Sequence, residues 1–199
     1  MPKSPGASDT ARRLGLAPWL ALLAALGTLA PIGRAGDNQG QVEYEVKAAF
    51  LFNFAKFVQW PPEAMSNGGS MRLCILGRDP FGSLLESGLS GKAIGEKPIE
   101  IGRSSDVRQL EGCQVVFISS SERSQAAAIL ETLSTRPILT VSEMPGFAEL
   151  GGMVNFYIDD HRIRFEINPK SAARSGLRIS SQLLKLARIV ESKPVGRPR

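Results

Sequence analysis

The sequence predicts one α/β domain, with layers of helices on both sides of a mostly parallel sheet (α/β/α) and an antiparallel hairpin in its C-terminal half. Two observations support this fold class. Short apolar runs typical of strands alternate with helical or turn segments, which is the arrangement of a parallel sheet covered by helices. In addition, the runs Met153–Ile158 and Arg162–Ile167 are separated only by Asp159-Asp160-His161, a spacing that predicts a hairpin.

The N-terminal residues 1–35 are predicted to be a secretory signal peptide. Basic residues precede the apolar run WLALLAALGTLA, and the small residues Gly33 and Ala35 occupy the positions that a signal peptidase reads. We therefore expect export and cleavage after Ala35. The apolar run is shorter than the roughly 20 residues that a membrane-spanning helix needs. An uncleaved anchor is the alternative.

The mature domain is predicted to occupy residues 36–191, a length that suits a single domain with its own core. The last residues, 192–199, are rich in Pro and Arg and are predicted to be disordered. Leader and tail carry the excess of basic residues in a chain of formal net charge +5, so the body of the domain is close to neutral. This balance gives no basis for nucleic-acid binding.

The first predicted element of the mature domain is an amphipathic helix in the segment KAAFLFNFAKFVQWP, which ends at the two prolines that follow Trp60. At 100° per residue, one side of this helix is an apolar stripe. The stripe consists of Val46, Phe50, Phe54 and Phe57, with Val58 and Trp60 at its edges.

Two residues of this helix do not fit the stripe. Phe52 falls on the polar side, so it must be exposed or covered by another part of the molecule, and we predict that it belongs to an interface with a partner or a second copy. Asn53 falls on the apolar side, where a buried amide needs hydrogen-bond partners. We expect Asn53 to fix a neighbouring backbone segment.

The remaining elements follow from apolar runs and turn residues. Strands are predicted at Met71–Leu76, Ile99–Gly102, Cys113–Ser119 and Pro137–Val141. Helical segments are predicted at Phe81–Leu89, around Asp106–Leu110, from Ser121 to Leu133, and from Asn168 onward with the strongest helical pattern at Ser180–Val190.

Cys74 and Cys113 are the only cysteines. An even number of cysteines behind an export signal predicts a disulfide, because the compartments outside the cytosol are oxidising.

The sequence offers little for catalysis or metal binding. His161 is the only histidine and lies in a charged turn, so no ordinary zinc or copper ligand set is present. There is no G-x-S-x-G nucleophile motif. The stretch GRDPFG follows a predicted strand but lacks the Gly-Lys-Ser/Thr ending of a phosphate loop. We expect no enzymatic activity and no cofactor.

Polar residues inside the predicted strands are more informative. Asn155, Arg164 and Glu166 lie within the two strands of the hairpin. They could form a structural hydrogen-bond network, or they could line a polar pocket. Gly151 and Gly152 precede the first of these strands and indicate a tight turn or a close approach of two backbone segments.

Four segments together resemble the YfiR family. They are KAAFLFNFAKFVQWP, CILGRDPFG, GGMVNFYIDDHRIRFEINP and GLRISSQLLKLARIV, and the resemblance extends from about Val42 to Val190. Their order and spacing make the resemblance specific. The residues that we take as its structural signature are Phe50, Asn53, Phe54, Phe57, Trp60, Gly151, Gly152 and Asn168.

The resemblance implies a non-catalytic periplasmic protein. It would bind the periplasmic sensor domain of an inner-membrane signalling protein, foremost a diguanylate cyclase, and inhibit it, which lowers cyclic-di-GMP and biofilm formation. Cys74 and Cys113 match a disulfide pair of the family, while a second pair that some members carry near the Gly-Gly stretch is missing. The alternative is a small-molecule-binding or accessory protein for a TonB-type receptor or a sensor histidine kinase. A homodimer is compatible with both.

Overall fold

The structure is a computed structural model that describes residues 35–66 and 69–193. The predicted signal peptide, apart from Ala35, and the tail beyond residue 193 lie outside the described residues. Within these ranges the α-helices are α1 (Ala35–Phe57), α2 (Pro62–Ser66), α3 (Leu84–Leu89), α4 (Ala126–Leu133), α5 (Phe147–Leu150), α6 (Pro169–Arg174) and α7 (Ser181–Leu184). Short 3-10 helices occupy Val107–Gln109 and Ser120–Gln125.

The strands of the described ranges have between two and eight residues, and β4 is the longest of them. They are β1 (Val58–Gln59), β2 (Met71–Leu76), β3 (Ala93–Ile94), β4 (Lys97–Ser104), β5 (Val115–Ile118), β6 (Leu139–Ser142), β7 (Val154–Asp159), β8 (Arg162–Ile167), β9 (Arg178–Ile179) and β10 (Arg188–Ile189).

One eight-stranded sheet organises the domain, in the order β10-β8-β7-β6-β5-β2-β4-β3. The strands β4, β2, β5, β6 and β7 are mutually parallel, whereas β7 and β8 form an antiparallel hairpin. The hairpin turns at Asp160 and His161, which both have positive φ angles (46° and 56°). The predicted α/β class, with its mostly parallel sheet and an antiparallel hairpin in the C-terminal half, is confirmed. A second, shorter antiparallel pair, β3 and β4, lies at the other edge of the sheet.

Helices cover both faces of the sheet. Alternate residues of its central strands therefore enter two different cores. Leu73 and Ile75 of β2 belong to a core under α1, whereas Cys74 and Leu76 belong to a core under α4 and α5. This alternation is the two-residue period of a strand buried on both sides.

Helix α1 buries a different stripe from the predicted one. Its fully buried positions include Leu51, Phe54 and Ala55, whereas Val46 of the predicted stripe is 39% exposed. Phe50 packs from the flank, with its ring centroid 5.5 Å from that of Phe165. The buried stripe is therefore rotated by roughly 100°, one helical position, from the predicted one. Small side chains such as Ala55 allow the helix to lie close to the sheet. A stripe chosen by its large apolar residues does not predict this close approach.

The same rotation explains the two exceptional residues of α1. Asn53 is exposed, so the expectation that it is buried and fixes a backbone segment is wrong. Phe52 is partly buried, packs against the main core, and has the ammonium group of Lys92 5.1 Å from its ring centroid. The chain itself therefore covers part of this ring, and the role of Phe52 in an interface stays a prediction.

The C-terminal region differs most from the prediction. The helix predicted at Ser180–Val190 is only the four-residue α7, capped by the Ser180 hydroxyl, and the chain then forms strand β10. Strand β10 pairs in parallel with β8, at Glu166 and Ile167. Edge pairing with a strand far away in sequence overrides the local helical periodicity. Helix α4 likewise begins at Ala126 rather than Ser121, after a 3-10 helix.

The structure shows a disulfide, a close approach at a glycine and a helix cap at residues that the sequence analysis names. A disulfide joins Cys74 and Cys113, whose Cα atoms are 6.0 Å apart. A Cβ added at Gly152 would lie 2.1 Å from Cε1 of Phe147, so this glycine permits a close approach of backbone and ring. Buried Asn168 caps α6 by accepting a hydrogen bond from the backbone N–H of Ser171 at 3.0 Å.

Candidate functional site

A polar cavity opens toward the carboxyl end of β6, between helix α1 and strands β7, β8 and β10. Its volume is about 420 Å³. The lining residues are Lys47, Glu143, Pro145, Gly146, Asn155, Phe156, Tyr157, Ile158, Glu166 and Arg188. In open α/β sheets, ligands bind preferentially beyond the carboxyl ends of the strands.

A buried cross-strand pair forms one wall of the cavity. Asn155 of β7 and Glu166 of β8 are directly paired in the sheet register and are 2% and 4% exposed. The Asn155 amide nitrogen donates to Glu166 Oε1 at 3.2 Å. A buried carboxylate needs such donors, because burial without hydrogen bonds or an opposite charge is strongly unfavourable.

Arg188 supplies the opposite charge from strand β10. Its guanidinium donates to Glu166 Oε2 at 2.5 Å and lies 4.3 Å from the ring centroid of Tyr157. The hydrogen bond to Glu166 is the main cause that raises the pKa of Arg188. More than half of the Arg188 side chain remains exposed (58%), so it lies at the mouth of the cavity.

Asn155 has an incomplete set of hydrogen bonds. Its Oδ1 atom is buried and has no hydrogen-bond partner among the described residues. Leaving a buried acceptor unpaired costs about 1–3 kcal/mol. Unpaired buried polar atoms are rare in folded proteins, and each needs an explanation such as a bound water, an ion or a functional role.

An ion-pair triplet is centred on buried Lys47, and two of its members, Lys47 and Glu143, line the cavity. Lys47 of α1 is 4% exposed and pairs with Glu43, one turn earlier, and with Glu143, which follows β6, at 2.5 Å. The Tyr44 hydroxyl donates to the other oxygen of Glu143 at 3.0 Å. Burial, followed by the charge of Glu143, raises the pKa of Tyr44, so this phenol stays protonated.

An apolar groove adjoins the cavity on the other side of the triplet. Its volume is about 480 Å³, and it runs between α1 and the tip of the β7–β8 hairpin. Val42 and Ile158, two of its lining residues, are 57% and 60% exposed. Contiguous exposed apolar side chains of this kind mark interaction surfaces more often than isolated ones do.

The structure places the residues of the predicted polar pocket in two groups. Asn155 and Glu166 lie together in the cavity wall. Arg164 is exposed and is not among the lining residues, so the structure does not bring it together with this pair. The guanidinium beside Glu166 belongs instead to Arg188, which sequence reasoning placed in a helix. Lys47 was also missed, although a lysine within an apolar helical segment was a signal that it needed a buried acidic partner.

Two further findings concern metal binding and membrane-spanning helices. Among the described residues no group of three or more His, Cys, Asp or Glu side chains is arranged to hold a metal ion. None of the helices in the same ranges combines the length and apolarity needed to cross a bilayer.

The protein is an α/β domain whose sheet is covered by helices on both faces, and it carries a polar cavity with an adjoining apolar groove. A family profile described as DUF4154, YfiR/HmsC-like, matches residues 44–188. The chain therefore belongs to the YfiR/HmsC-like family, as its four segments predicted. The family consists of regulatory, non-catalytic periplasmic proteins.

One solved structure is similar to part of this chain. It is a conserved domain protein from Vibrio cholerae O1 biovar El Tor strain N16961, which is similar over 73% of this chain with 10% sequence identity and a TM-score of 0.48. The match covers 59% of that protein, so this chain spans less than two thirds of its length.

Proposed function

We propose that this protein is exported, loses residues 1–35, and binds the periplasmic domain of an inner-membrane diguanylate cyclase, which it inhibits without turnover. Membership of the YfiR/HmsC-like family over residues 44–188 is the observation that supports this proposal most directly. The mature domain would occupy residues 36–191.

The apolar groove is the surface that we propose for the partner. Exposed Val42 and Ile158 offer apolar area at little cost in ordering, because both lie on regular elements of the fold. Aromatic anchors often dominate association energy, and Phe52 of the same helix is our second candidate contact. The partner would thus contact α1 rather than the polar cavity.

Inhibition follows from linkage. A repressor that binds only the inactive state of a receptor shifts the receptor equilibrium by its differential affinity for the two states. A hundredfold preference corresponds to about 2.7 kcal/mol, which is enough to move a balanced receptor almost completely into its inactive state.

Deletion of the gene tests this proposal in the cell. The expected result is a rise in cyclic-di-GMP and in surface attachment, restored by the wild-type gene. Unchanged cyclic-di-GMP in the deletion strain, with the neighbouring cyclase expressed, would contradict the cyclase version. A defect in a TonB-type receptor or sensor kinase response instead would favour the accessory-protein alternative.

Binding by the purified proteins tests the surface. Val46→Glu places a charge in the groove and should weaken binding to the periplasmic domain of the cyclase. Glu100→Lys, a charge change at another exposed residue, on strand β4, serves as the control. Equal affinities of the two variants would exclude the groove. N-terminal sequencing of the periplasmic protein tests export and should begin near Gly36.

A further inference from the structure

The outer edge of strand β4 is open over most of its length. On one side β4 pairs with β2 along residues 99–104, but on the other side β3 pairs only with its first two residues. The N–H of Ile99 donates to the carbonyl of Lys92 at 3.2 Å, and beyond that point no described strand lies beside the edge. An unpaired strand edge is a template for pairing with another chain.

Two backbone hydrogen bonds show which groups of this edge point outward. The N–H of Ile99 points outward, since it donates to the residue before β3, whereas the carbonyl of Ser104 points to β2, since it accepts from the N–H of Gly77 at 2.9 Å. Backbone groups of successive strand residues alternate in direction. The N–H and C=O groups of Ile101 and Arg103 therefore point outward, where no described strand pairs with them.

We propose that two copies of this chain pair antiparallel through these edges, about a two-fold axis at Gly102. In this register Ile101 lies opposite the partner's Arg103, and the outward groups of both residues all form hydrogen bonds, four bonds in total. An axis at Ile101 would place Arg103 opposite the partner's Ile99, whose N–H is already bound. An axis at Arg103 would oppose two arginines. The pairing does not depend on the proposed cyclase partner.

The side chains along the edge are compatible with this pairing. Glu100 lies opposite the partner's Ser104 and Arg103 opposite the partner's Ile101, so no like charges are directly opposed. A groove of about 470 Å³ runs along the same edge between α3 and β4, and Ile101 and Glu86 are among its lining residues. Arg103 points toward α3, where it pairs with Glu86. The partner's Arg103 therefore packs its methylene groups on Ile101 and meets the carboxylate of Glu86, which is 49% exposed.

The contact is small, because only four backbone hydrogen bonds and the adjoining side chains form it. Interfaces below about 1,200 Å² belong to weak and transient associations. We therefore expect a reversible dimer that forms at high protein concentration. Sedimentation of the mature protein from micromolar to millimolar concentration should show a monomer–dimer equilibrium.

Cross-linking tests the register. Glu100 and the partner's Ser104 occupy a position without backbone hydrogen bonds, where opposite Cβ atoms are about 4.5–5.5 Å apart, a distance that a disulfide spans with a small adjustment. A mixture of Glu100→Cys and Ser104→Cys proteins should form a covalent dimer under mild oxidation. Neither protein alone should do so, since identical positions of the two copies are about 13 Å apart along the strands. Equal yields from the mixture and from the separate proteins would overturn the proposal.

A proline variant tests the edge itself. Ile101→Pro removes one outward N–H, and edge strands tolerate proline where the N–H faces away from the sheet. This variant should abolish the dimer in sedimentation, whereas Ile101→Val, which keeps the N–H, should retain it. The thermal midpoint shows whether the proline variant folds, and if it does not, the cross-linking experiment still decides. Wild-type protein that stays monomeric at millimolar concentration, or a folded proline variant that dimerises like the wild type, would overturn the proposal.

Discussion

The disulfide between Cys74 and Cys113 allows a quantitative prediction of stability. The two cysteines are 39 residues apart in sequence, and they tie strand β2 to the segment before its neighbour β5. Closing a loop of about 40 residues in the unfolded chain is worth about 4 kcal/mol in the chain-entropy model. The double variant Cys74→Ala/Cys113→Ala should therefore lose about 4 kcal/mol of unfolding free energy.

Packing adds a smaller amount to this loss. Both cysteines are buried, in the core under α4 and α5, and alanine fills less of that space. Alanine is the right replacement, because a serine hydroxyl at these positions would need a hydrogen-bond partner. Wild-type protein held in reductant is the matched control, since it keeps both sulfur atoms and loses only the bond.

Equilibrium unfolding in urea provides the measurement. With a slope of about 2 kcal/mol per molar urea, the midpoint of the double variant should fall by about 2 M. The slope should also rise, because an unfolded chain without the cross-link exposes more surface. A loss below about 1 kcal/mol in both the double variant and the reduced wild type would refute the entropic argument for this loop.

Three further substitutions test other parts of the structure. Gly152→Ala should destabilise the domain by about 3 kcal/mol, because the new methyl group meets the Phe147 ring, whereas Gly69→Ala, which meets no atom within 4 Å, should be tolerated in the same urea assay. Lys47→Met should cost about 3 kcal/mol, since it leaves the two carboxylates of the ion-pair triplet facing each other, and a melting temperature equal to the wild type would contradict that role. Phe52→Glu should weaken binding to the periplasmic partner while it costs the half-buried ring only about 1 kcal/mol of stability, so a collapse of the thermal midpoint would assign Phe52 to the core instead.

The sequence predicted the central strands well because each is a continuous apolar run. The bounds of β2 agree with the predicted Met71–Leu76, and the fully buried β5 lies within the predicted Cys113–Ser119. Such runs have few alternatives, since a short segment buried on both faces must be apolar throughout.

The face of α1 was harder to predict because side-chain size misleads. Large aromatic residues dominate the stripe centred near Phe50, yet the helix approaches the sheet through its alanines and Leu51. Long rings such as that of Phe50 reach the core from the flank of the helix. Which residues of α1 are buried therefore depends on how closely the helix approaches the sheet. A helical wheel gives no information on that distance.

The polar cavity could be predicted only in part for a related reason. Asn155 and Glu166 face each other across a hairpin, and hairpin register is local in sequence. Arg188 and Lys47 reach the cavity from strand β10 and helix α1, so their positions depend on contacts between distant segments. No periodicity within β10 distinguishes it from the end of a helix.

The outer edge of strand β8 affects how two copies of this protein can associate. Strand β10 pairs only with Glu166 and Ile167, so on the side away from β7 the preceding residues of β8, including Arg162 and Arg164, have no neighbouring strand among the described elements. Two copies that joined these edges antiparallel would bring arginine rows face to face, and like charges in opposed positions destabilise such pairing. This edge thus discourages a continuous sheet between molecules through β8, and a homodimer would have to use another surface.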